Sequence, residues 1–176
     1  MKKLFYILSL FIIILSLSSC NNKKYDIVST NFAGFDFARA IAKDNMSTGL
    51  LLKPGIDLLD YEPSVADIEC ILNSKIFIYI GGESDEWVEN KILPEINKNK
   101  TTVINMLDII EEKGNIYNEE NPESSIVIDI EDEYDEHVWN SISNAKVLVE
   151  EICDVIISKD LDNNDKYITN RDIYLE

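Results

Sequence analysis

The sequence predicts an α/β fold, a parallel sheet of about four strands flanked by helices. Three observations carry that expectation. Short β-prone runs alternate with stretches of helical periodicity from Tyr25 onward, the pattern of parallel strands joined by right-handed crossovers. One run, Ile76-Phe77-Ile78-Tyr79-Ile80, is continuously apolar and stops at Gly81-Gly82, which suits a strand covered on both faces. Side chains able to cap helices stand at the starts of the helical stretches, Asn31, Ser64 and Ser84 among them.

Taken in order, Tyr25 to Thr30 reads as the first strand. Asn31 then caps a helix whose apolar positions include Phe35, Phe37, Ala38 and Ile41. Thr48 to Leu52 is the second strand. Ser64 and Asp67 form a capping box for a helix reaching Asn73. The apolar run 76–80 is the third strand, and Ser84 is expected to cap a helix with Trp87, Val88 and Ile92, ended by Pro94. Thr101 to Met106 is the fourth strand. Residues 111–136 are rich in Glu, Asn and Asp and read as irregular, with a short strand at Ile126 to Ile130. Ser141 or Ser143 caps a helix through Ile157, with Val147, Leu148, Ile152, Val155 and Ile156 on its apolar side. A polar turn, Lys159 to Asp165, precedes a last helical segment that ends in Leu175-Glu176.

The first residues belong to export rather than to the fold. Lys2 and Lys3 precede an apolar run from Leu4 to Leu17. About 14 residues make a signal-peptide core, whereas a membrane-spanning helix needs about 20. Leu17-Ser18-Ser19-Cys20 follows and resembles a lipoprotein cleavage site. It predicts a signal peptide over 1–19, lipid on Cys20, a tether over 20–24 and an extracytoplasmic location on a bacterial membrane. Cleavage would leave 157 residues (176 less the first 19), enough for one domain and one substantial core. Loss of Lys2 and Lys3 would move the formal net charge from −17 to −19. So acidic a surface disfavours nucleic acid and anionic lipid headgroups, and attracts cations weakly.

Candidate ligands are few. The chain holds one histidine, His137, in the run Tyr134-Asp135-Glu136-His137-Val138-Trp139. An imidazole beside carboxylates is the simplest start of a transition-metal site. The connection Lys53 to Pro63 turns at Pro54-Gly55 and carries Asp57, Asp60 and Glu62. Ligands in open parallel sheets collect outside the carboxyl ends of the strands, where such connections lie. Cys70 and Cys153 fall in amphipathic stretches and read as small apolar groups. Without a Cys-x-x-Cys pair, a thiolate zinc site is not expected.

Four stretches together resemble the N-terminal lobe of ZnuA-like receptors, the zinc and manganese solute-binding lipoproteins of ABC importers. They are Phe35 to Ala42, Pro54-Gly55 through Ser64, Gly82 through Glu86-Trp87, and Asp135 through Trp139 with Asn144-Ala145. The resemblance covers nearly all of the chain from Tyr25. It implies a two-lobed receptor that holds a metal ion in its cleft and passes it to a membrane permease. By position His137 matches the family's second histidine, and the first falls at Leu59, which cannot coordinate. Asp57, Asp60 or Glu62 would then stand in, shifting preference from zinc toward manganese or calcium. The resemblance also implies a metal-receptor lobe over 25–164 and the start of a linking helix over 165–176. A separate second lobe is a possible partner beside the ABC permease.

Other classes fare worse. His137 with Asp135 or Glu136 could form an acid–base pair, but no nucleophile motif or phosphate-cradling loop accompanies it, and no enzyme is expected. Asp160 to Asp165 fails as a calcium loop, since its glycine position holds Asp165 and its twelfth position Arg171. The remaining alternative is a metal-incompetent remnant or a split-receptor half, acting only as an interaction module.

Overall fold

In the computed structural model, residues 24–52, 55–56, 61–113 and 136–176 are described. The expected leader, Cys20, Asp57, Leu59, Asp60 and the Ile126 to Ile130 strand lie outside them. Four parallel strands form one sheet in the order β2-β1-β3-β4, from β1 (Ile27–Ser29), β2 (Thr48–Leu50), β3 (Ile76–Tyr79) and β4 (Thr102–Asn105). Helices α1 (Phe32–Ala42), α2 (Val65–Asn73), α3 (Met106–Lys113), α4 (Ile142–Lys159) and α5 (Asn164–Leu175) accompany it.

The caps explain the boundaries. Asn31 accepts from the Gly34 N–H at 2.8 Å and starts α1. Ser64 and Asp67 form the expected reciprocal capping box of α2. Ser141, not Ser143, caps α4. The helix expected to begin at Ser84 differs. Residues 83–95 form an irregular helical stretch, a 3₁₀ turn at Glu83–Asp85, a π turn at Val88–Ile92 and a second 3₁₀ turn at Leu93–Glu95. Its first turn lacks a side-chain cap, and the Ser84 N–H is taken by the distant Glu136 carboxylate. Pro94 sits inside the final turn, where its missing N–H costs little.

Strand alternation divides the core in two. Ile27, Ile76, Ile78 and Ile104 point to one face, against α1, α3, α4 and α5. Val28, Phe77 and Tyr79 point to the other, against Ile71 of α2 and Val88, Ile92 and Ile96. The continuous apolar run of β3 is thus buried on both sides, as its composition requires, and each fully buried side chain contributes roughly 1.5–3 kcal/mol. On α4, Leu148, Ile152 and Ile156 are buried as expected, together with Val149 and Cys153. Cys70 is half-buried, and neither of these two cysteines is in a disulfide.

Helix α1 lies unusually close to the sheet. A Cβ on Gly34 would come within 2.7 Å of Ile78 Cγ2 and 2.8 Å of Ser29 Oγ. Helix α5 runs back along α1, with Lys166 near Asn45 at one end and Tyr174 bonded to Asp36 toward the other. Tyr167 anchors it, wholly buried, its hydroxyl donating to Asp160 at 2.6 Å.

Candidate metal site

The carboxyl ends of the strands carry a connected set of turns. Strand β3 leaves the sheet through Ile80, Gly81 and Gly82. Asp85, wholly buried, faces back into this turn. One oxygen accepts from the Ile80 N–H at 2.6 Å and from the Thr30 hydroxyl at 3.1 Å. The other oxygen, Oδ1, is buried without a hydrogen-bond partner among the described residues. Burial raises the Asp85 carboxyl to about 6, outweighing the hydrogen bonds that lower it, and nearby Glu136 adds to the rise.

Asn105, the last residue of β4, buttresses the same turn. A Cβ on Gly81 would meet its Oδ1 at 2.5 Å. That oxygen accepts from the Leu107 and Asp108 N–H groups and so caps α3, while the Asn105 amide donates to the Tyr79 hydroxyl at 3.0 Å. The Leu107 N–H closes the frame on the Ile80 carbonyl at 2.9 Å.

The histidine segment rests on this frame. Val138 is buried in the core beneath it. The Asn140 N–H donates to the His137 carbonyl at 2.9 Å, closing a 3₁₀ turn over Val138–Asn140. His137 is exposed, and its ring lies 5.4 Å from the half-buried Trp139 ring at 56°. Glu136, one residue earlier, reaches across to the β3 turn and accepts from the Ser84 N–H with both oxygens, at 3.1 and 3.2 Å.

Of the expected ligands, the structure places His137 and Glu62 at the same end of the sheet. Glu62 is exposed in the connection from β2 to α2, beside buried Tyr61, whose ring meets Trp87 edge-on at 5.7 Å. Asp57 and Asp60 belong to that connection but lie outside the described residues. Among the described residues, no three His, Cys, Asp or Glu side chains converge as a metal-holding group. Phe32, Val65 and Ile142, each at the start of a helix at this end, are exposed and apolar.

Sequence reasoning missed Asp85. Within Glu83-Ser84-Asp85-Glu86 it reads as one of several surface acids, and only the packing of Thr30 and the β3 turn buries it. Glu136 carried a signal, since it adjoins the one histidine, but its partner lies 52 positions away.

Comparison with known proteins finds relatives that share this fold. The family model for ZnuA, the periplasmic zinc-uptake complex component A, matches residues 27–176. The zinc-binding lipoprotein AdcA of Streptococcus pneumoniae is 28% identical over 92% of this chain and 33% of its own length. The manganese ABC transporter substrate-binding lipoprotein PsaA of Streptococcus anginosus is 28% identical over the whole chain and 58% of its own length. The Zn(II)-bound ZnuA-like domain of Streptococcus pneumoniae AdcA superposes with a TM-score of 0.67 at 25% identity, over 87% of this chain and 51% of that one. The chain therefore spans between a third and three-fifths of these relatives.

Proposed function

The chain belongs to the ZnuA family of zinc-uptake components, and from that premise we propose that it is an extracytoplasmic lobe that binds zinc or manganese for an ABC importer. The observation that carries the reading is the placement of His137. His137 is exposed at the head of a short turn, next to Glu136, which bonds the turn leaving β3, with the acid-bearing β2–α2 connection at the same end. His137 is the principal ligand. Asp57, Asp60 and Glu62 supply carboxylates in place of the histidine lost at Leu59. A set of one imidazole and several carboxylates suits manganese better than a histidine-rich set would.

The ion is cargo. It is held without chemistry and released to the permease. The formal charge of −17 enriches cations near the surface but gives no selectivity. Selectivity rests on the imidazole. After the leader 1–19 is cleaved, lipid on Cys20 holds the lobe to the membrane through the tether 20–24. The lobe itself comprises 25–164, and 165–176 begins the linking helix. The exposed apolar rim of Phe32, Val65 and Ile142 suits a covering second lobe.

Equilibrium dialysis against zinc and against manganese, with elemental analysis at moderate salt, tests the proposal. One ion retained per chain after a calcium wash is expected. Uptake that rises linearly with concentration and vanishes in salt would reduce the chain to an interaction module.

A further inference from the structure

We infer that Glu136 is a positioning residue for His137, acting as a clamp that fastens the histidine segment to the β3 turn. The inference rests on the reading of His137 as a metal ligand, and the geometry that supports it is independent of any ion. Both Glu136 oxygens receive the Ser84 N–H. The carboxylate also lies against Gly82, where a Cβ would overlap Oε1 and stand 2.7 Å from Cδ. Gly82 has φ 73 and ψ −158, a region essentially reserved for glycine. The turn is therefore shaped to admit this side chain.

The turn itself is braced from within. Asp85 holds the Ile80 N–H and the Thr30 hydroxyl, and Asn105 packs against Gly81. Glu136 thus grips a part of the fold that is braced from its far side. Val138 fixes the histidine segment from below, and Glu136 fixes it from the side. His137, between these two anchors, is held while its ring stays exposed. The clamp also brings a second carboxylate toward buried Asp85. That repulsion opposes the approach of the two carboxylates.

The chain has one histidine, so incorporation of 15N-histidine into the full chain in detergent gives a single backbone amide signal. Its order parameter is compared in the metal-free wild type, Glu136→Ala and Glu136→Gln. Glutamine keeps an oxygen that can accept the Ser84 N–H, whereas alanine does not. An order parameter near 0.85 is expected for the wild type and Glu136→Gln, falling below about 0.6 in Glu136→Ala, with far-ultraviolet dichroism unchanged. Wild-type order in Glu136→Ala, or no rescue by glutamine, overturns the inference.

A manganese titration of the same three proteins separates this from the transport reading. Glu136→Ala should weaken binding at least about tenfold, with Glu136→Gln within about threefold of wild type. Equal losses in both variants with His137 still ordered would make Glu136 a ligand and overturn the positioning role. A wild type that binds no metal would remove the transport reading while leaving the order-parameter result to stand.

Discussion

Replacing Asp85 with asparagine should flatten the dependence of stability on pH. The wild-type carboxyl is wholly buried and raised from 3.8 to about 6, chiefly by burial. A group whose acid form is favoured by folding binds its proton more tightly in the native state. Its contribution to stability is complete below about pH 4 and is lost as pH rises through 6. The interval between those two values corresponds to about 3 kcal/mol in all, of which about 1.4 kcal/mol falls between pH 5 and pH 8. Asparagine keeps an acceptor for the Ile80 N–H and has no charge to bury. Urea unfolding of both proteins at pH 5, 6, 7 and 8 isolates the effect, because the many other acids titrate alike in each. The variant should gain about 1.4 kcal/mol on the wild type across that range. Parallel profiles would mean that Asp85 is not a desolvated carboxyl, and the account of the β3 turn would fail with them.

Three further outcomes follow from the packing. Gly34→Ala should lower stability by up to about 2 kcal/mol in urea unfolding, because overpacking against Ile78 and Ser29 costs more than the helix-propensity gain of about 1 kcal/mol. Leu148→Ala, in the fully buried stripe of α4, should cost about 2–5 kcal/mol in the same assay. Asp26 is held below its ordinary 3.8: burial alone would raise it, but bonds from Ser47 and Lys75 prevail. The advantage of wild type over Asp26→Asn should therefore be present at neutral pH and shrink as pH falls below that value, when thermal midpoints are compared along an acid series.

Most of the fold was legible because its signals are local. The apolar run 76–80, the Asn31 cap and the Ser64–Asp67 capping box each fix an element through neighbours in sequence. Strands came out shorter than their apolar runs for a tertiary reason. Pairing of β1 with β2 stops at Ser29 and Leu50, after which Thr30 turns toward Asp85. The irregular stretch 83–95 was misread as a regular helix capped by Ser84, since nothing local shows that Glu136 takes the Ser84 N–H. At the site, His137 and the acids around it were visible as residue types. The frame that holds His137 was not, because Asp85, Asn105 and Glu136 meet only through the order β1-β3-β4 and contacts across many residues.

The most direct test of the central claim is calorimetric titration of zinc and of manganese into wild type and His137→Ala at about 0.15 M salt, where long-range attraction to the acidic surface is screened beyond about 8 Å. One-to-one saturable binding that disappears in His137→Ala is the predicted result. Saturable binding that survives the loss of the imidazole would contradict the claim, since only the acids would then hold the ion.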